Sequence, residues 1–193
     1  MKIAIIGRGN VGKALGDGLK QAGHEIRYGH RDPKEPVREA AEWGDVIILA
    51  VPYHATRDAA KEIGSAADGK MLVDVTNALD QNGNLAVGFT TSAAEELQKL
   101  LPKSRVVKAF NTVFSQNQSI GRVGKEQLTA FIAGNEESAK QIVRKLSRGI
   151  GFEPVDVGPL KNARYLEPMA VMIIKLGYNL KMGTKIGFKL VKA

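Results

Sequence analysis

The sequence predicts an α/β fold, a doubly wound parallel sheet trimmed at one edge, with a small helical extension at its carboxyl end. Short apolar runs alternate with amphipathic helical patterns along most of the chain. A glycine-rich turn joins the first run to the first helix. The last stretch changes to a helix that is apolar nearly all round. At 193 residues the chain can bury one full core with a small appended element. The division falls between residues 1–157, the sheet domain, and residues 158–193, the tail.

The first elements are the most informative. Ile3-Ala4-Ile5-Ile6 meets Gly7-Arg8-Gly9-Asn10-Val11-Gly12, which fits G-x-G-x-x-G. A helical pattern follows at Val11, Ala14, Leu15, Leu19 and Ala22, and stops at Gly23. Between a strand and a helix these glycines form the Rossmann dinucleotide turn. Gly7 allows the tight turn, Gly9 lets a pyrophosphate approach the backbone, and Gly12 lets the helix pack close to the sheet. The free N–H groups and dipole of the helix start then hold the phosphates. The second strand, His24 to Gly29, ends where an NAD site needs a carboxylate for the ribose 2′-hydroxyl. This chain has His30 and Arg31 there, with Asp32 one place beyond. A guanidinium suits the 2′-phosphate by charge and by its forked donors, and Lys34 adds charge, so the expected cofactor is NADP(H).

Between Arg31 and Asp45 there is room for one short helix, around Val37 to Trp43, where the standard fold has a helix, a strand and another helix. The sheet should therefore be trimmed here. Asp45 to Pro52 reads as a strand buried on both faces. Ala50, Val51, Pro52 and then His54 stand at its carboxyl end, where open α/β sheets bind ligands. His54 reads as a contact to the nicotinamide ribose or a phosphate, or as a surface histidine at a helix start. A helix covers Ala55 to Ile63, and Met71 to Val75 is a strand with Thr76-Asn77 at its tip. Asp74 fits a structural acceptor better than an acid or base. Asp80 to Thr90 is a loop long enough to fold over a site.

Ser92-Ala93-Ala94-Glu95 is a capping box opening a helix with Leu97, Leu100 and Leu101 buried. Arg105 to Phe110 is a strand, ending in Ala109-Phe110-Asn111-Thr112, where small Ala109 lets a flat ring approach and Asn111 can bond at that ring's edge. Leu128 to Ala133 is a strand, Asn135 caps a helix over Ala139 to Leu146, and Phe152 to Val157 is the last strand. Leu160 to Leu180 reads as helix, kinked or restarted at Pro168. Its Met169-to-Ile174 stretch should be buried on more than one side, which a chain of this size achieves as a homodimer with the tails at the interface. If the last residues are helical, Lys181, Lys185 and Lys189 share one face.

Composition narrows the chemistry. No cysteine is present, which excludes disulfides, thiolate nucleophiles and cysteine-ligated metals. The N-terminus lacks a signal-peptide pattern and the longest apolar stretch is too short to span a bilayer, so a cytoplasmic, membrane-free protein is expected. A net charge of +8 favours anion capture, but only 6% of residues are aromatic and no nucleic-acid motif occurs. Neither a nucleophile–histidine–carboxylate set nor a metal-ligand cluster is visible, so no catalytic acid–base residue and no metal site are assigned.

Several segments together carry a resemblance. They are Gly7 to Gly12, Gly29-His30-Arg31, Ala50-Val51-Pro52, Val106-Val107-Lys108-Ala109-Phe110-Asn111-Thr112, and Asp156-Val157-Gly158-Pro159-Leu160 with Asn162-Ala163-Arg164 and Glu167. In this order they resemble the NADPH-dependent oxidoreductases typified by the reductase of the deazaflavin coenzyme F-420. They are also similar to the cytosolic domain of the six-transmembrane metalloreductases. The resemblance implies direct hydride transfer between nicotinamide and a flavin or deazaflavin ring stacked on it, the small-molecule hydride acceptor. It implies that Gly7 to Gly12 hold the pyrophosphate and His30 and Arg31 the 2′-phosphate, that Ala50, Val51, Pro52 and His54 line the nicotinamide side, and that Ala109 and Asn111 lie beneath the second ring. Asn77 joins the cofactor-binding set from the tip of its strand, and Met182-Gly183 matches a Met-Gly pair near the family's deazaflavin pocket. Typical deazaflavin reductases carry His where this chain has Asn111, and the metalloreductase domains carry Asn. FAD, FMN and riboflavin therefore stand beside coenzyme F-420. Two other readings remain: a β-hydroxyacid-dehydrogenase-like enzyme using Lys175 with Asn179 four residues on, and a non-catalytic NADP(H) sensor.

Overall fold

The computed structural model describes residues 1–192. A seven-stranded sheet has the spatial order β2-β1-β3-β4-β5-β8-β9. Its first five strands are β1 (Lys2–Ile6), β2 (Glu25–Gly29), β3 (Val46–Leu49), β4 (Met71–Asp74) and β5 (Arg105–Lys108), all parallel. β8 (Thr129–Gly134) then runs antiparallel to β5, and β9 (Glu153–Asp156) parallel to β8. The trimmed edge is present, because β2 ends the sheet and α2 (Val37–Trp43) returns the chain directly to β3.

Apolar runs become strands because both faces are covered. β3 is fully buried along its length. One core layer holds Ile3, Ile5, Leu15, Ile48, Val73 and Val107 beneath α1 (Asn10–Gln21) and α6 (Glu137–Gly149). The opposite layer holds Ala4, Ile6, Ile47, Leu49 and Leu72 against α2, α3 (Thr56–Ile63) and α4 (Ala93–Leu100). The segment from β5 to β8 contains elements with no signal in the sequence pattern: α5 (Ser115–Gln118) and a two-stranded ribbon, β6 (Arg122–Val123) with β7 (Glu126–Gln127). These pieces are too short to show a periodicity.

Two local expectations fail. Asn135 does not cap α6; Glu136 precedes the helix without a side-chain cap, and Asn135 Oδ1 accepts from the Leu160 N–H at 3.0 Å. The final residues are not helical either, so Lys181, Lys185 and Lys189 share no helix face. α7 (Ala163–Ile174) continues through Pro168 and gives way to a wider π-turn, Lys175–Asn179. Lys181 and Gly183 then take positive φ, which breaks any helix. The chain runs back along the sheet domain, where Thr129 N–H donates to Phe188 O at 2.9 Å and Asn117 Nδ2 to Thr184 O at 2.9 Å. α7 buries Leu166, Ala170 and Ile173 and leaves Tyr165 and Met172 exposed, so it is covered on one side. Among the described residues no helix is long and apolar enough to cross a membrane.

The capping box forms, with Ser92 Oγ accepting from the Glu95 N–H at 3.2 Å. The Glu95 carboxylate is gripped by Arg164, whose Nε and Nη2 donate at 2.8 and 2.7 Å. That grip holds the Glu95 carboxyl below its ordinary value of 4.5, against an opposing effect of burial. A depressed carboxyl stabilises the fold above the unfolded pKa and loses that contribution as pH falls through the folded one. Arg164→Met should therefore melt below the wild type at neutral pH, and the gap should close as pH falls below about 4.5, read as melting temperature against pH. A gap that stays constant with pH would assign the effect to packing instead.

Candidate functional site

Two clefts open at the carboxyl ends of β1, β3 and β4. The first, of about 680 Å³, is lined by Gly7, Arg8, Gly9, Lys13, His30, Arg31, Ala50 to Pro52 and His54, together with Asp58 and Glu62 of α3. The second, of about 820 Å³, is lined by Gly9, Asn10, Val11, Ala50 to His54, Val75, Thr76 and Asn77, and by Leu79, Asp80, Gln81 and Ala86. They meet at Gly9, Ala50, Val51, Pro52 and His54. The loop after β4 thus walls the second cleft, as its length suggests.

The glycine turn has the geometry its spacing implies. Gly7 takes φ +107°, and a Cβ there would lie 2.3 Å from Ala50 O. A Cβ at Gly12 would lie 2.1 Å from Gly7 O. A Cβ at Gly9 would meet nothing within 4 Å, so the bare backbone faces the cleft where a pyrophosphate needs to approach. Gly9 precedes α1 without a side-chain cap, and the first turn of the helix holds no acidic residue, leaving its N–H groups and dipole for an anion. Together with Arg8, Lys13 and Arg31, the residues present fit a dinucleotide phosphate chain. Lys13, one turn into the helix, escaped the sequence reading because it lies outside the glycine pattern.

The basic turn is more structured than its sequence implies. His30 N–H donates to Glu35 O and Glu35 N–H to Asp32 O, both at 2.9 Å, closing a compact loop. Asp32 Oδ1 takes the Lys34 N–H at 3.0 Å, so Asp32 braces the loop. Arg8 Nη1 reaches both Glu35 carboxylate oxygens at 3.1 Å, and its guanidinium lies 5.3 Å from the Tyr28 ring centre. Lys34 lines a separate shallow cleft with Arg27, Tyr28 and Glu35, outside the dinucleotide cleft.

The candidate residues beyond the glycine turn and the basic turn divide. Asn77 lines the second cleft, and its Oδ1 is buried without a partner. Ala109 and Asn111 are buried, and neither is among the cleft's lining residues. Asn111 Nδ2 donates to Leu166 O at 2.9 Å, tying β5 to α7, while its Oδ1 is unpartnered. Met182 is 58% exposed on the tail, and Gly183 bonds back to Gly177 O. Lys175 is exposed on the π-turn and lines neither cleft.

Behind the second cleft lies a group whose role the sequence did not reveal. Lys108 is fully buried, with Nζ 2.9 Å from Asp74 Oδ2, 3.0 Å from Glu167 Oε1 and 2.8 Å from Thr76 O. Desolvation pulls the ammonium down, but the two carboxylates outweigh it and hold Lys108 above its ordinary value. Glu167 also takes the Ala93 and Ala94 N–H groups at the start of α4. Asp74 is thus a structural acceptor, also receiving the Thr76 N–H at 2.9 Å. The cluster fastens β4, β5, α4 and α7 together directly beneath Thr76 and Asn77. A lysine within the apolar Val106-Val107 strand and a glutamate within an apolar helix are the signals that could have exposed it. Nearby, burial and a hydrogen bond to Glu96 push the Tyr53 phenol up to about 12, so it remains a neutral donor at physiological pH.

Known proteins share this architecture. The family described as NADP oxidoreductase, coenzyme F420-dependent, matches residues 2–78. The F420-dependent NADP reductase of Methanothermobacter marburgensis is 30% identical over 207 aligned positions, covering 91% of this chain and 92% of that protein. Metalloreductase STEAP3 of Rattus norvegicus is 31% identical over 90% of this chain, which spans 37% of that longer protein. A crystal structure from Arthrobacter sp. FB24, of a protein proposed as an F420-dependent NADP-reductase, superposes with a TM-score of 0.91 at 26% identity, covering all of both chains. With the glycine cradle and its basic rim, these matches establish that the chain belongs to the coenzyme F420-dependent NADP oxidoreductase family and is an NADP-dependent oxidoreductase.

Proposed function

We propose that the protein transfers hydride directly between NADP(H) and a flat-ring acceptor, a deazaflavin or a flavin. The observation that carries this is the junction of the two clefts: a cationic one suited to a dinucleotide opens, at Ala50-Val51-Pro52, into a second one with mostly apolar lining. In this reading the nicotinamide lies along Ala50 to Pro52 and the acceptor ring stacks beside it. Reduced nicotinamide supplies a hydride, two electrons with one hydrogen nucleus, and the ring takes its balancing proton from solvent. The chain's own work is to bind, align and exclude water. The N–H groups after Gly9 hold the pyrophosphate, Arg31 reads the 2′-phosphate, and the Leu79-to-Ala86 loop shields the second cleft.

The acceptor decides the test. NADPH oxidation is followed with F420, FMN, FAD and riboflavin, and the acceptor that accelerates it is then reduced by NADPH deuterated at C4. Deuterium retained on the deazaflavin ring carbon is the expected mark of direct transfer. Tight NADPH binding with no acceleration by any acceptor would leave a sensor. For the coenzyme itself, Arg31→Ala should weaken NADPH by about 2 kcal/mol and leave NADH nearly unchanged, as loss of a charged hydrogen-bond partner requires. Equal effects on both in a binding titration would remove Arg31 from the 2′-phosphate site.

The exposed face of α7 supports the proposal of a homodimer. Tyr165 and Met172 stand on it, with Tyr178, Leu180 and Met182 following, all more than half exposed. Sedimentation at micromolar concentration reads the oligomeric state directly.

A further inference from the structure

Two side chains that line the first cleft beside Arg31 are already engaged by a carboxylate. Arg8 Nη1 straddles both oxygens of Glu35 at 3.1 Å, and His30 Nε2 lies 2.6 Å from Glu35 Oε2. The His30 N–H is not aimed along that short line, so the contact is electrostatic rather than a well-formed hydrogen bond. The other imidazole nitrogen, Nδ1, accepts from the Asp32 N–H at 3.2 Å. One nitrogen of His30 is therefore bonded within the loop, and the other is held close to the Glu35 carboxylate. In this arrangement the Glu35 carboxylate stands against His30 Nε2 and takes part of the Arg8 fork.

We propose that Glu35 is a specificity-determining residue, an internal carboxylate that competes with the 2′-phosphate of NADP(H) for Arg8 and His30. The inference rests on the reading of this turn as the 2′-phosphate site. A carboxylate and a phosphate share the chemistry that a guanidinium and an imidazole N–H recognise. They cannot hold the same donors, and their like charges repel. Glu35 also keeps Arg8 and His30 gathered when the coenzyme is absent. Its backbone is fixed by the His30–Glu35 and Asp32–Glu35 bonds, so only the side chain has to turn. Room exists for this in the shallow cleft of about 450 Å³ lined by Glu35 itself, Arg27, Tyr28, Lys34 and Pro36, where Arg27 and Lys34 offer alternative partners. A dianionic phosphate outcompetes the monoanionic carboxylate, and the affinity observed for NADP(H) is what remains after that exchange.

The measurement is a calorimetric titration of the intact protein and of Glu35→Gln with 2′,5′-ADP and with 5′-AMP, which differ only by the phosphate in question. The Gln variant keeps the loop's backbone bonds and an uncharged acceptor for Arg8. Its affinity for 2′,5′-ADP should rise about fivefold, as release from an exposed ion pair implies, while 5′-AMP changes less than about twofold. Unchanged or weaker 2′,5′-ADP binding would overturn the competition and make Glu35 a support for Arg8. Equal tightening of both probes would also overturn it, as a general charge effect. A wild type that does not prefer 2′,5′-ADP to 5′-AMP would remove the 2′-phosphate reading itself, and with it the role of Glu35. A wild type that does prefer it, beside an unaltered variant, would remove only the role of Glu35.

Discussion

Lys108→Met should destabilise the protein by about 3–5 kcal/mol, the largest loss expected from a single change outside the coenzyme cleft. Lys108 is fully buried, and so are its partners Asp74 and Glu167. Removing the ammonium leaves two carboxylates facing each other in a dry interior and takes the donor from Thr76 O. The loss is the penalty of stranded charge rather than the worth of the ion pairs. A compensated variant separates the two. Adding Asp74→Asn and Glu167→Gln to Lys108→Met removes the charge, keeps a side-chain oxygen for the Thr76 N–H, and leaves one oxygen for the Ala93 and Ala94 N–H groups, which Glu167 serves with two. Most of the lost stability should return. Urea unfolding with an unchanged slope is the measurement. A single-variant loss below about 1 kcal/mol would mean that water reaches the site and that the cluster behaves like a surface pair.

The consequences extend to the second cleft, because Lys108 fixes the backbone at Thr76, next to Asn77, whose unpartnered Oδ1 faces no protein donor. If the acceptor binds there as proposed, a shift of that corner should alter its alignment more than coenzyme affinity. The two layers of the site are thus separable by experiment.

What the sequence disclosed follows from how local each signal is. The glycine turn is legible because three glycines answer to contacts within one short stretch, as the approach of Gly12 to Gly7 O shows. The trimmed edge is legible because chain length alone forbids the missing strand. Lys108 and Glu167 lie far apart in the chain, and nothing in one announces the other. Asn135 has the residue type of a cap, but the Leu160 N–H, brought in from the tail, claims its oxygen. The last residues carry a helix-compatible pattern of lysines, yet Gly183, Gly187 and the bonds to Thr129 draw them along the sheet. Glu35 meets Arg8, 27 residues away, only once the turn has folded. In each case the unread part is a long-range partner competing with a local propensity.

Gly7→Ala should abolish tight NADPH binding and also cost about 2–5 kcal/mol of stability, combining backbone strain with a steric clash. Gly7 holds φ +107°, beyond the left-handed region that other residues visit at modest cost. The new methyl would lie 2.3 Å from Ala50 O and 2.8 Å from Ala50 C, both backbone atoms of the segment that leads out of β3. No rotamer relieves such a contact, because the obstacle is neither a flexible side chain nor solvent. The turn must therefore move away from Ala50, and Gly7 N–H must give up its 2.8 Å bond to Gly29 O, which ties the turn to the end of β2. That movement separates the start of α1 from the Ala50-to-Pro52 wall and from His30 and Arg31, so pyrophosphate, nicotinamide and 2′-phosphate contacts can no longer be made together. Gly9→Ala is the matched control. Its Cβ meets nothing within 4 Å in the protein, so stability should hold while coenzyme affinity falls through direct obstruction of the ligand. If Gly9→Ala instead lowered stability as much as Gly7→Ala, the turn would owe its glycines to folding and not to the dinucleotide.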